Sequence, residues 1–250
     1  MIYVKNLCVK YDGYIALENI NFEIHHPSFL VIIGPNGAGK TTLLKALLGL
    51  IPYDGEIKIL GKEPLEARNF IGYMPQRDRI NTNIPLKVKD VILMPLLSKS
   101  IIEIKKEYIK RAKESLKFVG LQHLWNKDFH SLSGGQQQRV FLARTLALNP
   151  KVIILDEPFS ATDVATKMKT IELLHTLKKE RTIILVTHDI NPLVECTDKV
   201  LLLNRRMVAF GDTIDVITEE NMEKLYGTRL PVIRERNVCY VAGSDTHVHV

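Results

Sequence analysis

Gly34, Pro35, Asn36, Gly37, Ala38, Gly39, Lys40, Thr41 and Thr42 form a glycine-rich run that ends in a cation and two hydroxyls. Its spacing is G-x-x-x-x-G-K-[ST]. The glycines let main-chain N–H groups approach an anion with no Cβ in the way. Phe29 to Ile33, an apolar run, leads in, and Leu43, Leu44, Ala46, Leu47 and Leu48 follow with helical periodicity. A helix starting there aims its unpaired N–H groups and positive dipole end at the same anion. Lys40 would then reach the β- and γ-phosphates of a nucleoside triphosphate, and the Thr41 hydroxyl would coordinate Mg²⁺. A turn with a chance lysine does not account for both flanks.

Further residues suit phosphoryl transfer. Asp156 and Glu157 follow the apolar run Val152 to Leu155. Asp156 would hold Mg²⁺ through its water shell, and Glu157 would orient or deprotonate an attacking water. Ser133, Gly134, Gly135 and Gln136 open a helix that runs to about Leu148, and make a second anion nest. One ligand rarely needs two nests from one chain, which points to a site shared by two copies. Gln76 follows the short strand Ile71 to Met74. It would coordinate Mg²⁺ or a water, or else be an exposed loop residue. His188 follows the apolar strand Thr182 to Thr187 and would face a γ-phosphate or solvent. Tyr11, at a turn, would stack on a purine or pack on its own ribbon, and spacing leaves both open. Asp163 caps a helix from about Val164 to Lys178.

The elements that must position these groups alternate. Residues 2 to 9 and Ile20 to Ile24 read as an antiparallel ribbon joined through the turn Tyr11, Asp12, Gly13, Tyr14. Glu56 to Leu60 reads as a strand. From Arg77 to His130 the β-branched runs stop, and Ile104, Tyr108, Ala112 and Leu116 make one helical apolar stripe. Asn191 to Cys196 reads as a short helix. Lys199 to Leu203 and Met207 to Phe210 read as a hairpin around Asn204, Arg205 and Arg206. A short helix, a connector at Pro231 and a polar tail are expected to finish the chain. The fold expected is α/β, with an antiparallel β subdomain first and an α-helical subdomain inserted.

With 250 residues, one domain, or one domain with a sub-lobe, is expected. No apolar run approaches the ~20 residues that span a bilayer. The start of the chain does not read as a signal peptide. A cytoplasmic location, with attachment to a membrane only through a partner, is the expectation. Cys8, Cys196 and Cys239 lack C-x-x-C spacing and read as reduced thiols. His123, Trp125 and His130 have no ligand spacing and read as packing or surface groups. The net charge of +6 suits a polyanionic nucleotide or an anionic membrane face. Basic residues mixed with acids, as at Lys105, Lys106 and Glu107, argue against nucleic-acid binding.

In this order, Tyr11, the loop 34–42, Gln76, Leu132 to Gln136, Asp156 with Glu157, Asp163 and His188 resemble the A-loop, Walker A, Q-loop, signature, Walker B, D-loop and H-switch of ATP-binding cassette (ABC) nucleotide-binding subunits. The resemblance covers about residues 1 to 225, a P-loop NTPase core with the helical subdomain at about 77–148. Residues 226 to 250 are left as a C-terminal extension. Thr162 departs from the leucine common in the D-loop, while Asp163 is kept. The resemblance implies Mg²⁺ and ATP as ligands and a head-to-tail homodimer with two ATPs between Walker A of one chain and Ser133 to Gln136 of the other. It gives Tyr11 the adenine, Gln76 Mg²⁺ and coupling, and His188 the γ-phosphate. It also implies integral membrane permease partners, an extracytoplasmic solute-binding protein acting indirectly, a place on the cytoplasmic face of the membrane, and no nucleic acid. Asn83 to Met94 and the ending Gly243 to His249 look like the zinc/manganese importer subgroup. Asp245, His247 and His249 alternate as potential metal ligands, but an unstructured tail without direct metal binding is the favoured reading. A soluble ABC protein acting on nucleic acid or ribosomes is the alternative. It is disfavoured by the single set of motifs and the short distance from Gln76 to Ser133. A dead cassette is disfavoured by Lys40, Asp156, Glu157 and His188.

Overall fold

The computed structural model describes residues 1–76, 85–97, 106–159, 163–235 and 238–241. In chain order its main elements are β1 (Ile2–Tyr11), β2 (Tyr14–Ile24), β3 (Phe29–Ile33), α1 (Lys40–Leu47), β4 (Asp54–Ile59), α2 (Pro64–Ala67), β5 (Ile71–Met74), α3 (Val88–Leu97), α4 (Lys106–Phe118), α5 (Gly134–Ala147), β6 (Val152–Asp156), α6 (Val164–Leu177), β7 (Thr182–Thr187), β8 (Lys199–Asn204), β9 (Arg206–Asp212), α7 (Thr213–Val216), α8 (Glu219–Tyr226), β10 (Val232–Glu235) and β11 (Val238–Val241). This is the expected mixed α/β fold. The chain divides into two compact units, Met1–Asn69 with Lys178–Val250, and Phe70–Leu177.

The first unit holds two sheets and a hairpin. β2, β1 and β4 form an antiparallel sheet in that order. Alternation along β1 buries Ile2, Val4, Leu7 and Val9, as expected of a strand with one face in a core. β3 lies between β7 and β8, parallel to both, and β9 returns antiparallel to β8. All five residues of β3 and all six of β7 are buried, so neither alternates. Sheets covered on both faces read this way in sequence. The register pairs Ile33 with Thr187 and with Leu202. Gly34, His188 and Leu203 therefore leave the same carboxyl edge at one level. The helix α1 that follows buries Leu43, Leu44, Ala46 and Leu47.

In the second unit β5 and β6 pair in parallel, Met74 against Leu155. This register carries Pro75 and Gln76 beside Asp156 and Glu157 at one strand edge. α3 and α4 both pack on α5. The predicted stripe on α4 is present as buried Ala112 and Leu116 with half-buried Tyr108. Its fourth member, Ile104, lies outside the described residues. Gly72 is set so close to α5 that a Cβ there would meet Thr145 Cγ2 at 2.7 Å.

Three readings of the sequence need correction. The expected polar tail begins with a strand pair, Val232–Glu235 against Val238–Val241. Asn191 fastens it: its side-chain amide donates to Val241 O at 2.9 Å, and its Oδ1 accepts from Val241 N at 2.8 Å. Two hydrogen bonds to a main chain 50 residues away leave no periodic signal. The helix expected over Asn191 to Cys196 is a 3₁₀ turn, Asn191–Leu193, followed by a hydrogen-bonded turn. The first ribbon is longer than alternation suggested, because β2 begins at Tyr14 and only Asp12 and Gly13 turn.

Candidate nucleotide-binding site

The loop 34–42 joins β3 to α1 as its spacing requires. Gly34 is glycine for want of space: a Cβ there would lie 2.1 Å from Leu203 O. Gly39 is glycine for two reasons. Its φ is 92°, and a Cβ would meet Leu17 Cδ2 at 2.6 Å and Ala16 O at 2.8 Å. Gly37 has open space and a φ of 78°. Gly39 is the N-cap of α1 and supplies no side-chain cap. Lys40 is buried, and its Nζ donates to Gly34 O at 2.7 Å and Pro35 O at 2.9 Å. Its charge is thus held over the loop. Ala38 is buried, Asn36 and Gly37 are exposed, and Pro35, Thr41 and Thr42 are half-buried.

The same unit carries two more candidate residues. Tyr11 is 39 % exposed at the end of β1 and pairs with Tyr14 across the Asp12, Gly13 turn. His188 is exposed one residue beyond β7. Its position is set by Thr187, whose Oγ1 accepts from Asp189 N and donates to Asp189 O, both at 3.1 Å.

The second unit carries the acidic pair and the serine-glycine turn. Asp156 ends β6 and is 1 % exposed. Glu157 is half-buried and has φ 50°, a left-handed backbone that is uncommon outside glycine, asparagine and aspartate. Spacing gave no sign of it. Such strain concentrates at functional positions. Gln76 is half-buried just past β5. Ser133 Oγ accepts from Gln136 N at 3.3 Å, and Gln136 Oε1 accepts from Ser133 N at 3.0 Å. This is a reciprocal capping box at the start of α5. The Ser-x-x-Gln spacing carried that signal, and reading the turn only as an anion nest missed it. Gly135 is buried against α6, where a Cβ would meet Thr166 Cγ2 at 2.6 Å. Asp163 caps α6, with Oδ1 accepting from Thr166 N at 2.9 Å, and this main-chain bond first of all holds its carboxyl below the ordinary range. Ser160, Ala161 and Thr162 before it, residues 83 and 84 of the subgroup stretch, and Asp245, His247 and His249 lie outside the described residues.

The glycine loop and its buried lysine offer the donor chemistry that a chain of phosphates takes. Thr41, Gln76 and Asp156 each offer an oxygen ligand, a carboxylate in the case of Asp156, which is the donor chemistry Mg²⁺ takes. Among the described residues no three His, Cys, Asp or Glu side chains gather as a metal cage, and no helix is long and apolar enough to cross a membrane.

The family model described as ABC transporter matches residues 17–160. The manganese transport system ATP-binding protein MntB of Bacillus subtilis is 40 % identical over 235 residues, which cover 92 % of this chain and 94 % of MntB. The zinc transport system ATP-binding protein TroB of Treponema pallidum is 38 % identical over 233 residues, 92 % of this chain and 88 % of TroB. Among solved structures, the dimeric bacterial ABC transporter cassette MJ0796 matches with a TM-score of 0.73 and 32 % identity, covering 85 % of this chain and 98 % of its own. A post-hydrolysis dimer of the same cassette holds ADP and Pi.

Proposed function

Because the chain belongs to the ABC transporter family, we propose that it is the ATP-binding and ATP-hydrolysing subunit of a multi-chain importer for a divalent transition metal, zinc or manganese. The observation that carries the ATPase reading is the steric need for glycine at 34 and 39 around a lysine held over the loop. The metal rests on the names of the relatives, MntB and TroB. Residues 1–225 form the cassette, with the helical part at about 77–148 inserted, and 226–250 are its extension.

Each site residue has a role in this reading. Tyr11 stacks on adenine. Main-chain N–H groups of the run Gly34 to Thr42 other than Pro35, which has none, and Ala38, whose N–H donates to Pro35 O, hold the phosphates with the Lys40 ammonium. Thr41, Gln76 and Asp156 hold Mg²⁺, which would neutralise charge on the phosphates. Glu157 accepts the proton of the attacking water as its oxygen bonds to the γ-phosphorus and ADP leaves. His188 donates a hydrogen bond to the γ-phosphate. Ser133, Gly134, Gly135 and Gln136 reach the ATP held by a second copy, and Asp163 lies in the same head-to-tail interface. The dimeric neighbour supports that arrangement. The subunit works at the cytoplasmic face of the membrane on permease subunits, which an extracytoplasmic solute-binding protein feeds.

The test is ATPase activity of the assembled complex, titrated with capture proteins loaded with different metals. Stimulation by zinc or manganese alone is expected. Stimulation by an organic solute would overturn the metal and keep the ATPase. No hydrolysis under any load would overturn both.

A further inference from the structure

We propose that Arg205 is a positioning residue for nucleotide recognition, locking the turn that carries Tyr11 and Tyr14 to the phosphate loop. The inference rests on the reading of loop 34–42 and Tyr11 given above. Arg205 alone separates the paired residues Asn204 and Arg206 at the β8–β9 turn, with φ 58°. An arginine in the left-handed region carries a steric cost. Its main chain is held there from both sides. Arg205 N donates to Ala38 O of the phosphate loop at 2.9 Å, and Arg205 O accepts from Glu18 N of β2 at 2.8 Å. Arg206 adds a fork to the Glu18 carboxylate at 2.9 and 2.7 Å.

The side chain then reaches the start of β2. The Arg205 guanidinium lies 4.8 Å from the centroid of the Tyr14 ring. Tyr14 pairs with Tyr11 across a turn of only two residues, Asp12 and Gly13, with φ 42° and 84°. Both tyrosines are exposed, at 39 % and 46 %, so little core packing fixes this turn. The cation on the ring face is the contact that ties it down. One residue therefore bonds to the loop that faces the phosphates and grips the turn that faces the base. Only their relative position, not either part alone, should depend on the guanidinium.

The experiment measures binding of ATP and of inorganic tripolyphosphate to the full chain by calorimetry, with KM and kcat of the assembled complex. Arg205→Ala is expected to weaken ATP about two- to fivefold, the range of an exposed cation–π contact. Tripolyphosphate affinity and kcat should stay unchanged. Arg205→Lys should recover most of the loss, and Tyr14→Leu should reproduce it without adding to it in the double variant. Equal loss for ATP and tripolyphosphate, or no loss for either, would overturn the proposal. Tyr11→Ala separates the two layers. If it weakens ATP while Arg205→Ala does not, the locking role fails and the base platform stands. If Tyr11→Ala leaves ATP binding intact, the platform itself is wrong and the proposal falls with it.

Discussion

The α-carbon of Gly34 faces the carbonyl of Leu203 so closely that a Cβ would come within 2.1 Å of its oxygen. The contact is to backbone in a buried parallel strand, which cannot step aside as a side-chain tip can. Gly34→Ala should cost about 1–3 kcal/mol as an overpacking change. In a chain of this size that lowers Tm by roughly 2–12 °C, and it should displace the loop enough to abolish ATP binding. Gly37→Ala meets open space and carries only the cost of its positive φ, about 1 kcal/mol. Thermal unfolding and calorimetry of the pair would check this. Equal effects at the two positions would show that the Leu203 carbonyl gives way and that its contact with residue 34 does not limit the loop.

Glu157 sits in a strained backbone beside the buried Asp156. Glu157→Gln keeps the shape of the side chain and one oxygen acceptor but cannot take a proton. Hydrolysis should fall by about 10²–10⁴-fold, the usual worth of a general base, while ATP affinity stays near that of the parent and a closed dimer accumulates on size exclusion. Turnover at the parental rate would remove Glu157 as the base.

Ser133 has a local role in the capping box, and the intermolecular role proposed for it can be separated from that one. Ser133→Ala removes one half of the capping box at α5 and should cost about 1 kcal/mol, or roughly 2–4 °C in Tm. ATP affinity of the dilute single chain should not change, whereas ATP-dependent dimerisation should weaken. A drop in single-chain affinity would mean that Ser133 serves the ATP of its own copy.

The parts of this molecule that sequence made legible are those where one residue type answers one demand. Gly34 and Gly39 are fixed by space, and with Lys40 they stand at the spacing that phosphate chemistry asks for, while the buried strands β3, β6 and β7 follow from continuous apolar runs. What escaped reading depends on contacts distant in the chain. The Asn191 clamp on Val241 looks like any loop asparagine. Arg205 looks like any hairpin arginine until the fold lays its main chain on Ala38 and its guanidinium on Tyr14. The left-handed backbone at Glu157 has no compositional trace, because the residues that announce that conformation are glycine, asparagine and aspartate, and glutamate is not among them.

Asp163 gives a prediction in pH. Its carboxyl is held below the ordinary range, first by the main-chain hydrogen bond from Thr166 and then by the Thr166 hydroxyl. A depressed carboxyl stabilises the fold above its unfolded value, near about 4, and that contribution disappears as pH falls through the lower folded value. Asp163→Asn keeps an acceptor for Thr166 N and removes the charge at the N-terminus of α6, where a negative charge is favoured. The parent should therefore exceed the asparagine variant in urea midpoint at neutral pH, and the gap should close in acid. A gap that stays constant from neutral pH to well below the carboxylate range would mean that the cap works through hydrogen bonding alone and that its charge contributes nothing.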